Sequence, residues 1–398
     1  MVVRTVVDSI DAPVRKNFLP FSRPDIEQTE IDEVVDTLHS GWITTGPKTK
    51  EFERRFAEYI GARHAIAVNS CTAALHIALA AAGIGPGDEV ITSPLTFCST
   101  ANVIVHLGAT PVFADIGDDF NIAPSEIEKR ITSHTKSIIP VHHSGQPCRM
   151  DEILACARKH NLPVIEDAAH AVGAKFRTRM VGTIGDVTAF SFYAIKNMTT
   201  AEGGMITTNS DEAAEKMRLL SLHGISKDAW KRYTSEGSWY YEVVYAGFKC
   251  NMTDIQSALG IHQLARLEEF LATRRKYASM YDQAFDQIPE IQTPITNAGV
   301  RHAWHLYVIQ LNLERLTLNR AQFIESLRAE NIGTSVHFIP VHLHPYYRET
   351  FGYKRGDLPN TERIYDRIVS LPLYPKMTKT DVYDVIATVK RIVQQHRK

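Results

Sequence analysis

The stretch HAIAVNSCTAALHIALAAAGI, from His64 to Ile84, passes directly from a short apolar run into an alanine-rich segment. The apolar run predicts a buried strand, and the alanine-rich segment predicts a helix. The same order recurs up to about residue 210, in DEVITSP with STANVIVHLGA, PVFADI with PSEIEKRI, and TKSIIPVH with RMDEILACARKHN. This alternation predicts a largely parallel α/β sheet with helices on both faces, which binds ligands at the carboxyl ends of its strands.

The pattern changes towards the C-terminus. A long amphipathic segment runs from Thr253 to about Phe285. It is followed by shorter alternating elements, in WHLYVIQL, AQFIESLRAENI, TSVHF and DVYDVIATVKRIVQQ. We therefore predict a large domain over residues 1–285, which includes an N-terminal arm, and a smaller α+β domain over 286–398.

Composition excludes several classes of protein. The 398 residues include 44 Lys and Arg against 45 Asp and Glu, so no overall basic charge favours nucleic acid or an anionic membrane. The five cysteines are scattered without a C-x-x-C pair, which predicts neither a disulfide framework nor a metal site. The first residues do not have the pattern of a signal peptide, and no apolar run is long enough to span a membrane. We therefore expect a cytoplasmic protein.

The first strand end has the features of an anion site. The helix after Asn69 begins at once, so the amides around Cys71 and Thr72 have no partners within it. The Thr72 hydroxyl can add a donor. Alternatively, Ser70 only caps the helix, which is the commoner role of a serine there.

A second strand end carries an acid, in VIEDAAHAVGA. Asp167 at the end of a buried strand needs a cationic or hydrogen-bonding partner, and a pyridinium nitrogen would be one. Asp167 could instead cap the next helix. His170, three residues on, could contact the same ligand or have a structural role.

A third strand end is followed by a lysine, in SFYAIKNMTTAEGGM. Taken alone, Lys196 is best read as a surface residue. Among apolar neighbours and beside a cation, however, its amine would have a lowered pKa and could form a Schiff base. An amine, an acid and an anion site together suit pyridoxal 5′-phosphate (PLP), with Phe97 either covering its ring or packing in the core.

Taken together, these motifs resemble the DegT/StrS-type sugar aminotransferases, a fold-type I PLP family. The resemblance covers nearly the whole chain. It is carried by FSRP, SGWITTGPKTKEFE, AVNSCTAALH, GDEVITSPLTF, GATPVFADI, VIEDAAHAVGA, SFYAIKNMTTAEGGM, GFKCNMTDIQSALG and SLPLYPKMT. It implies a seven-stranded, mostly parallel sheet domain with a smaller C-terminal domain, assembled as a homodimer.

The resemblance also implies roles for single residues. Lys196 matches the lysine that binds the cofactor covalently, Asp167 the carboxylate on the ring nitrogen, and His170 its neighbour at the ring. The remaining cofactor contacts that it implies are those of Phe97 with the ring and of Ser70, Cys71, Thr72 and Ser191 with the phosphate.

A further segment, GFKCNMTD, matches the part of the family that reaches across a dimer interface to the phosphate bound by a second subunit. The family often has G-Y-N-Y-R there. Since this chain differs, either Lys249 or Asn251 could make the contact.

The function that the resemblance implies is transfer of an amino group from glutamate to C4 of a nucleotide-linked 4-keto sugar. Arg232 is favoured as a diphosphate ligand because a guanidinium can form two hydrogen bonds with a phosphate. The other substrate candidates are Arg23, Lys48 and Lys231 for the diphosphate, and Trp42 and His337 for the pocket.

Several alternatives stay open. They include C3 amination of a 3-keto sugar nucleotide, a PLP-dependent sugar dehydratase and a non-catalytic regulator. The dehydratases of this family have histidine in place of the lysine, which counts against that alternative. The nucleotide could be UDP or dTDP, and the sugar could be a pentose, a 6-deoxyhexose or an N-acetylated form. The pathway could lead to lipid A, to another surface polysaccharide or to a secondary metabolite.

Overall fold

A computed structural model describes residues 14–226 and 240–398. The larger part of the chain contains seven strands of one sheet and a small hairpin. The sheet strands are β1 (His64–Val68), β2 (Glu89–Thr92), β3 (Thr110–Phe113), β4 (Thr135–Ile139), β5 (Ile165–Asp167), β8 (Val187–Ser191) and β9 (Gly204–Thr208). The hairpin is formed by β6 (Lys175–Phe176) and β7 (Arg179–Met180), and β11 (Val300–Arg301) pairs with β6.

The sheet is mostly parallel, as the sequence predicts. Its strands are hydrogen-bonded in the orders β1-β9-β8-β5 and β3-β2-β4. Parallel bridges from Ile138 to Val164 and from Val141 to Asp167 join the two groups at β4 and β5, which makes seven strands. Within these ladders, β9 alone runs antiparallel to its neighbours.

Helices cover both faces of this sheet. They are α1 (Gln28–Ser40), α2 (Pro47–Ile60), α3 (Cys71–Ala81), α4 (Ser99–His106), α5 (Pro124–Arg130), α6 (Met150–Lys159), α7 (Asp211–Ser221), α8 (Asp254–Ala265) and α9 (Leu267–Phe285). Side chains alternate along each strand, so Phe190 belongs to the core that also contains residues of α2, α6 and α8, while Ala189 belongs to the core on the other face, with residues of α3, α4 and α7. Burial on both faces explains why the strands are apolar runs rather than alternating ones.

The C-terminal part has its own core around an antiparallel sheet, in the order β10-β12-β13. Its elements are β10 (Ile291–Gln292), β12 (Tyr307–Leu311), α10 (Arg320–Ala329), α11 (Pro345–Phe351), α12 (Pro359–Tyr365), β13 (Ile368–Leu371) and α13 (Lys379–Gln395). Tyr281 and Phe285 of α9 also belong to this core. Packing therefore continues across the boundary near residue 286, which stays a prediction. In the described part of the chain, no helix is both long and apolar enough to cross a membrane.

Candidate active site

A cavity of about 460 Å³ opens at the carboxyl ends of the large sheet's strands. The start of α3, the end of β5 and the loop after β8 form most of its wall, and the C-terminal part of the chain closes the remaining side. Residues that line it include Ser70, Cys71, Thr72, Phe97, Asp167, His170, Ser191, Lys196, His305, His337 and Phe338. Three separate strand ends therefore converge on one space, as expected for a mostly parallel sheet.

One wall of the cavity is the N-terminus of α3. Ser70 caps this helix, because its Oγ accepts a hydrogen bond of 3.1 Å from the amide of Ala73. The amides of Cys71 and Thr72 have no acceptor within the helix, and the helix dipole adds positive potential there. Gly204 permits the close packing of β9 against this turn, since a Cβ there would lie 2.5 Å from the carbonyl carbon of Ser70. The result is a small pocket of positive potential, with Ser191 in the same cavity.

Asp167 lies at the end of β5 with only 4% of its surface exposed. Its Oδ2 accepts from the Thr100 hydroxyl at 2.7 Å and its Oδ1 from the amide of Ala169 at 3.1 Å. Burial nevertheless raises the pKa of Asp167, because these two neutral donors do not replace the water that a carboxylate loses. A cation placed in the cavity would stabilise the ionised form of Asp167.

Lys196 follows β8 in a tight loop, where its backbone amide donates to the carbonyl of Tyr193 at 2.9 Å. Its side chain is partly exposed to the cavity. Removal of the amine from bulk water lowers the pKa of Lys196 to about 8, against the opposing effects of Cys71 and Asp167. At pH 7 about a tenth of this amine is therefore neutral and nucleophilic, far more than in an ordinary lysine.

Histidines form the opposite wall. The amide of Ser144 donates to Nδ1 of His170 at 3.3 Å, and the His170 ring stacks on Phe338 with centroids 5.7 Å apart. His337 is held by a 2.8 Å hydrogen bond between its Nδ1 and the Ser370 hydroxyl. Burial lowers the pKa of His170 well below the usual value and that of His337 to about 3. Both rings are therefore neutral hydrogen-bonding groups.

Phe97 is 59% exposed although it lines this cavity. A large aromatic side chain that is neither in the core nor covered by other residues offers a flat apolar face to a ligand. Its position beside buried polar groups suits a ligand that is itself an aromatic ring with polar substituents.

The other residues singled out in the sequence lie elsewhere. A second cavity of about 550 Å³ is lined by residues that include Trp42, Lys249 and Asn251. In it, Lys249 Nζ donates a hydrogen bond to Asn251 Oδ1. Lys48 forms ion pairs with Glu33 and Asp36. Arg23 is exposed and lines neither cavity. Lys231 and Arg232 fall outside the described residues.

Some residues of this site were missed by the sequence reasoning. Thr100 stands in the quoted stretch after Phe97, but nothing in its spacing shows that it reaches Asp167, 67 positions away. His305 belongs to the C-terminal part and its partner Asn197 to the lysine loop, 108 positions apart. A histidine next to an apolar strand and an asparagine next to Lys196 were the signals available, and each has a common structural explanation.

The relatives found by comparison with known proteins agree with one another. The DegT/DnrJ/EryC1/StrS aminotransferase family matches residues 24–390. The spore coat polysaccharide biosynthesis protein SpsC of Bacillus subtilis is 58% identical over 382 residues, which cover 96% of this chain and 98% of SpsC.

Solved structures are also similar. Spr1654 of Streptococcus pneumoniae, a candidate sugar aminotransferase solved in PLP and PMP forms, superposes with a TM-score of 0.89 at 36% identity, over 95% of this chain and 99% of its own. PseC of Helicobacter pylori, an aminotransferase involved in the biosynthesis of pseudoaminic acid, superposes with a TM-score of 0.88 at 31% identity, over 96% of this chain and 100% of its own.

Proposed function

This chain belongs to the DegT/DnrJ/EryC1/StrS aminotransferase family, and we propose that it moves an amino group from glutamate to C4 of a nucleotide-linked 4-keto sugar. One observation carries the proposal: Lys196, Asp167 and the free amides of α3 line the same cavity. Transamination is the activity of the family. The sugar, the carbon that is aminated and the amino donor are our proposals.

The residues of the cavity fit PLP, which the related Spr1654 binds. Asp167 is a buried carboxylate without a cationic hydrogen-bond partner among the described residues, and the ring nitrogen of PLP would be one. The N-terminus of α3 and Ser191 would hold the phosphate, Phe97 would cover the ring, His170 would lie beside it, and Lys196 would bind the aldehyde. When bound, PLP supplies the electron-withdrawing ring that transamination requires.

The chain's own groups then move and hold protons. Lys196 Nζ, with a pKa of about 8, can accept the proton from Cα of the amino donor and return it, as a general base and acid near neutral pH. Asp167 holds the proton on the ring nitrogen, because an ionised carboxylate next to a cation favours both charges. Residues of the C-terminal part, among them His305 and His337, line one side of the cavity and reduce the access of water from that side.

We further propose a homodimer with the active site at its interface. Lys249 and Asn251 line a cavity that Lys196 does not line, which supports a contact from one of them to the phosphate bound by a second copy. Trp42 shares that cavity. Arg232 is proposed for the nucleotide diphosphate and His337 for the sugar. The proposed place of action is the cytoplasm.

A carbohydrate substrate is supported by the relatives. The name of SpsC refers to spore coat polysaccharide, and PseC acts in pseudoaminic acid biosynthesis. The main alternative is C3 amination of a 3-keto sugar nucleotide. A dehydratase is less favoured because position 196 is lysine.

The test is a panel of UDP- and dTDP-linked 4-keto and 3-keto sugars with glutamate, read by mass spectrometry. We expect an amino sugar from a 4-keto substrate, its loss in Lys196→Ala, and no loss in Lys390→Ala on the exposed face of α13. Product from 3-keto substrates alone would establish the alternative. No amino sugar from any pair with PLP-loaded protein would refute the proposal.

A further inference from the structure

We propose that exposed apolar residues beside the second cavity form an outer surface that packs against a second copy of this chain. This outer surface consists of Ile31, Val35 and Leu38 of α1, Ile43 after that helix, and residues 243–245. Its assignment rests on the proposed function in one respect, the homodimer. It adds where the second copy binds, and it depends neither on the sugar nor on the amino donor.

Helix α1 turns a polar face towards the rest of its own chain. The buried residues of this helix are Glu30 and Thr37. Glu30 Oε1 accepts hydrogen bonds from Gln263 Nε2 at 2.9 Å and from the Arg266 guanidinium at 3.2 Å. Hydrogen bonds and an ion pair therefore hold α1 on α8 and the residue that follows it, and no large apolar side chain of α1 is buried there.

The apolar face of α1 is exposed. Ile31, Val35 and Leu38 are spaced i, i+4 and i+7, so they form a single stripe along the helix, and each is between 44% and 53% exposed. A surface helix ordinarily packs such a stripe against the core, and this packing supplies most of its stability. Because α1 has the reverse arrangement, its stripe has the character of a surface that another protein covers.

The stripe leads directly to the second cavity. Ile43, three residues after the end of α1, is also exposed. Thr45 lines the cavity, and its Oγ1 accepts a hydrogen bond of 2.6 Å from Asn251 Nδ2. Asn251 belongs to the segment for which we propose a contact with the phosphate of a second copy. The apolar stripe is therefore continuous with the place where the second copy is expected.

A second apolar segment borders the same cavity. Val243, Val244 and Tyr245 are between 42% and 63% exposed. Val243 forms an antiparallel bridge with Ile225, which lines the cavity. The segment then runs directly into GFKCNMTD. Since two apolar segments that are distant in the sequence border one cavity, a single partner surface can cover both of them.

A second copy is favoured over the N-terminal end of the same chain as the cover of this surface. The described chain begins at Val14, whose amide donates to the carboxylate of Glu330 at 2.8 Å, and Arg15 forms an ion pair with Asp384. The chain therefore enters beside α10 and α13 of the C-terminal part, whereas α1 packs on α8. The net charge of −1 opposes association of two copies only weakly.

The experiment measures the dissociation constant of the full-length, PLP-loaded protein by analytical ultracentrifugation over a series of concentrations. Val35→Glu should raise this constant about a hundredfold or more, because it would bury a carboxylate without a partner in each copy. In a free monomer the same change lies on an exposed helix surface, where it has little effect on folding. The matched control is Tyr383→Glu, since Tyr383 is also exposed on a helix, α13, and lines neither cavity. It should leave the dissociation constant at the wild-type value.

Equal dissociation constants for Val35→Glu, Tyr383→Glu and the wild type would overturn the proposal. An unchanged dimer that loses thermal stability equally at every protein concentration would also overturn it, because the stripe would then be covered within one chain. If Val35→Glu does not fold, Val35→Gln adds a polar group without charge and should weaken the dimer less; an unchanged constant there overturns the proposal too.

Failure of the proposed function gives different results. A wild-type protein that is monomeric at every concentration would contradict the proposed homodimer, and the outer surface with it. Amino transfer to the sugar panel is measured separately, so failure of the proposed transaminase would leave the dissociation constants unchanged. Loss of the dimer in Val35→Glu with PLP fully retained would support the outer surface and contradict the shared phosphate contact.

Discussion

Thr100→Val should raise the pH at which the protein loses PLP. The hydroxyl of Thr100 donates to Asp167 Oδ2 at 2.7 Å, and both residues are buried. A hydrogen bond to a charged group contributes about 1.5–3 kcal/mol, and one pKa unit corresponds to about 1.4 kcal/mol. The pKa of Asp167, which burial already raises, should therefore rise by a further one to two units or so when this donor is removed.

The direction of the pH effect follows from linkage. Protonated Asp167 cannot stabilise a protonated ring nitrogen, so PLP binding weakens as pH falls through the pKa of Asp167. In the cofactor-free protein, the effect of pH on folding stability has the opposite sign to its effect on PLP binding. A carboxyl whose pKa is raised by folding stabilises the folded state at low pH, and this contribution is lost as pH rises from the ordinary value of 3.8 through the raised pKa.

The assay is the fraction of PLP retained after equilibration and desalting across a pH series. Thr92→Val is the matched control, because Thr92 loses a buried hydroxyl that donates to the carbonyl of Ile139 at 2.9 Å and not to Asp167. The midpoint for retention should move up in Thr100→Val and stay at the wild-type pH in Thr92→Val. Equal midpoints for all three proteins would refute the reasoning, since the Thr100 hydrogen bond would then have no influence on Asp167.

Three further predictions concern stability, packing and assembly. Glu166 accepts hydrogen bonds from His142, Gly185 and Thr188, and its pKa is lowered, so folding stability is lost as pH falls through that pKa. His142→Leu should therefore lower the free energy of unfolding, measured in urea, by about 1.5–3 kcal/mol at pH 7 and by less at low pH. Gly204→Ala should lower the free energy of unfolding by about 1–3 kcal/mol and weaken PLP binding, because the new Cβ would meet the backbone of Ser70. A wild-type PLP affinity would contradict a phosphate site at the start of α3. If Lys249 makes the contact across the dimer, Lys249→Ala should be inactive alone, and mixing it with Lys196→Ala subunits should restore roughly a quarter of wild-type activity. Two inactive variants that show no recovery on mixing would contradict a shared site.

Local signals in the sequence are sufficient to predict much of this protein. Alternation of apolar runs with helical segments predicts the mostly parallel sheet, because burial on both faces demands continuous apolar strands. Strand ends then identify Lys196, Asp167 and the start of α3, since parallel strands bring their carboxyl ends to one edge. The family resemblance, which rests on the same motifs, agrees with the family match over residues 24–390.

Only the tertiary structure decides the contacts between distant segments. The Thr100 hydroxyl on Asp167, the Asn197–His305 pair and the contribution of α9 to the C-terminal core join residues without a periodic signal between them. Trp42, Lys249 and Asn251 likewise gather in a second cavity that no local pattern indicates. The physical reason is that periodicity reports which face of an element is buried, whereas the partner on that face depends on how the whole chain packs.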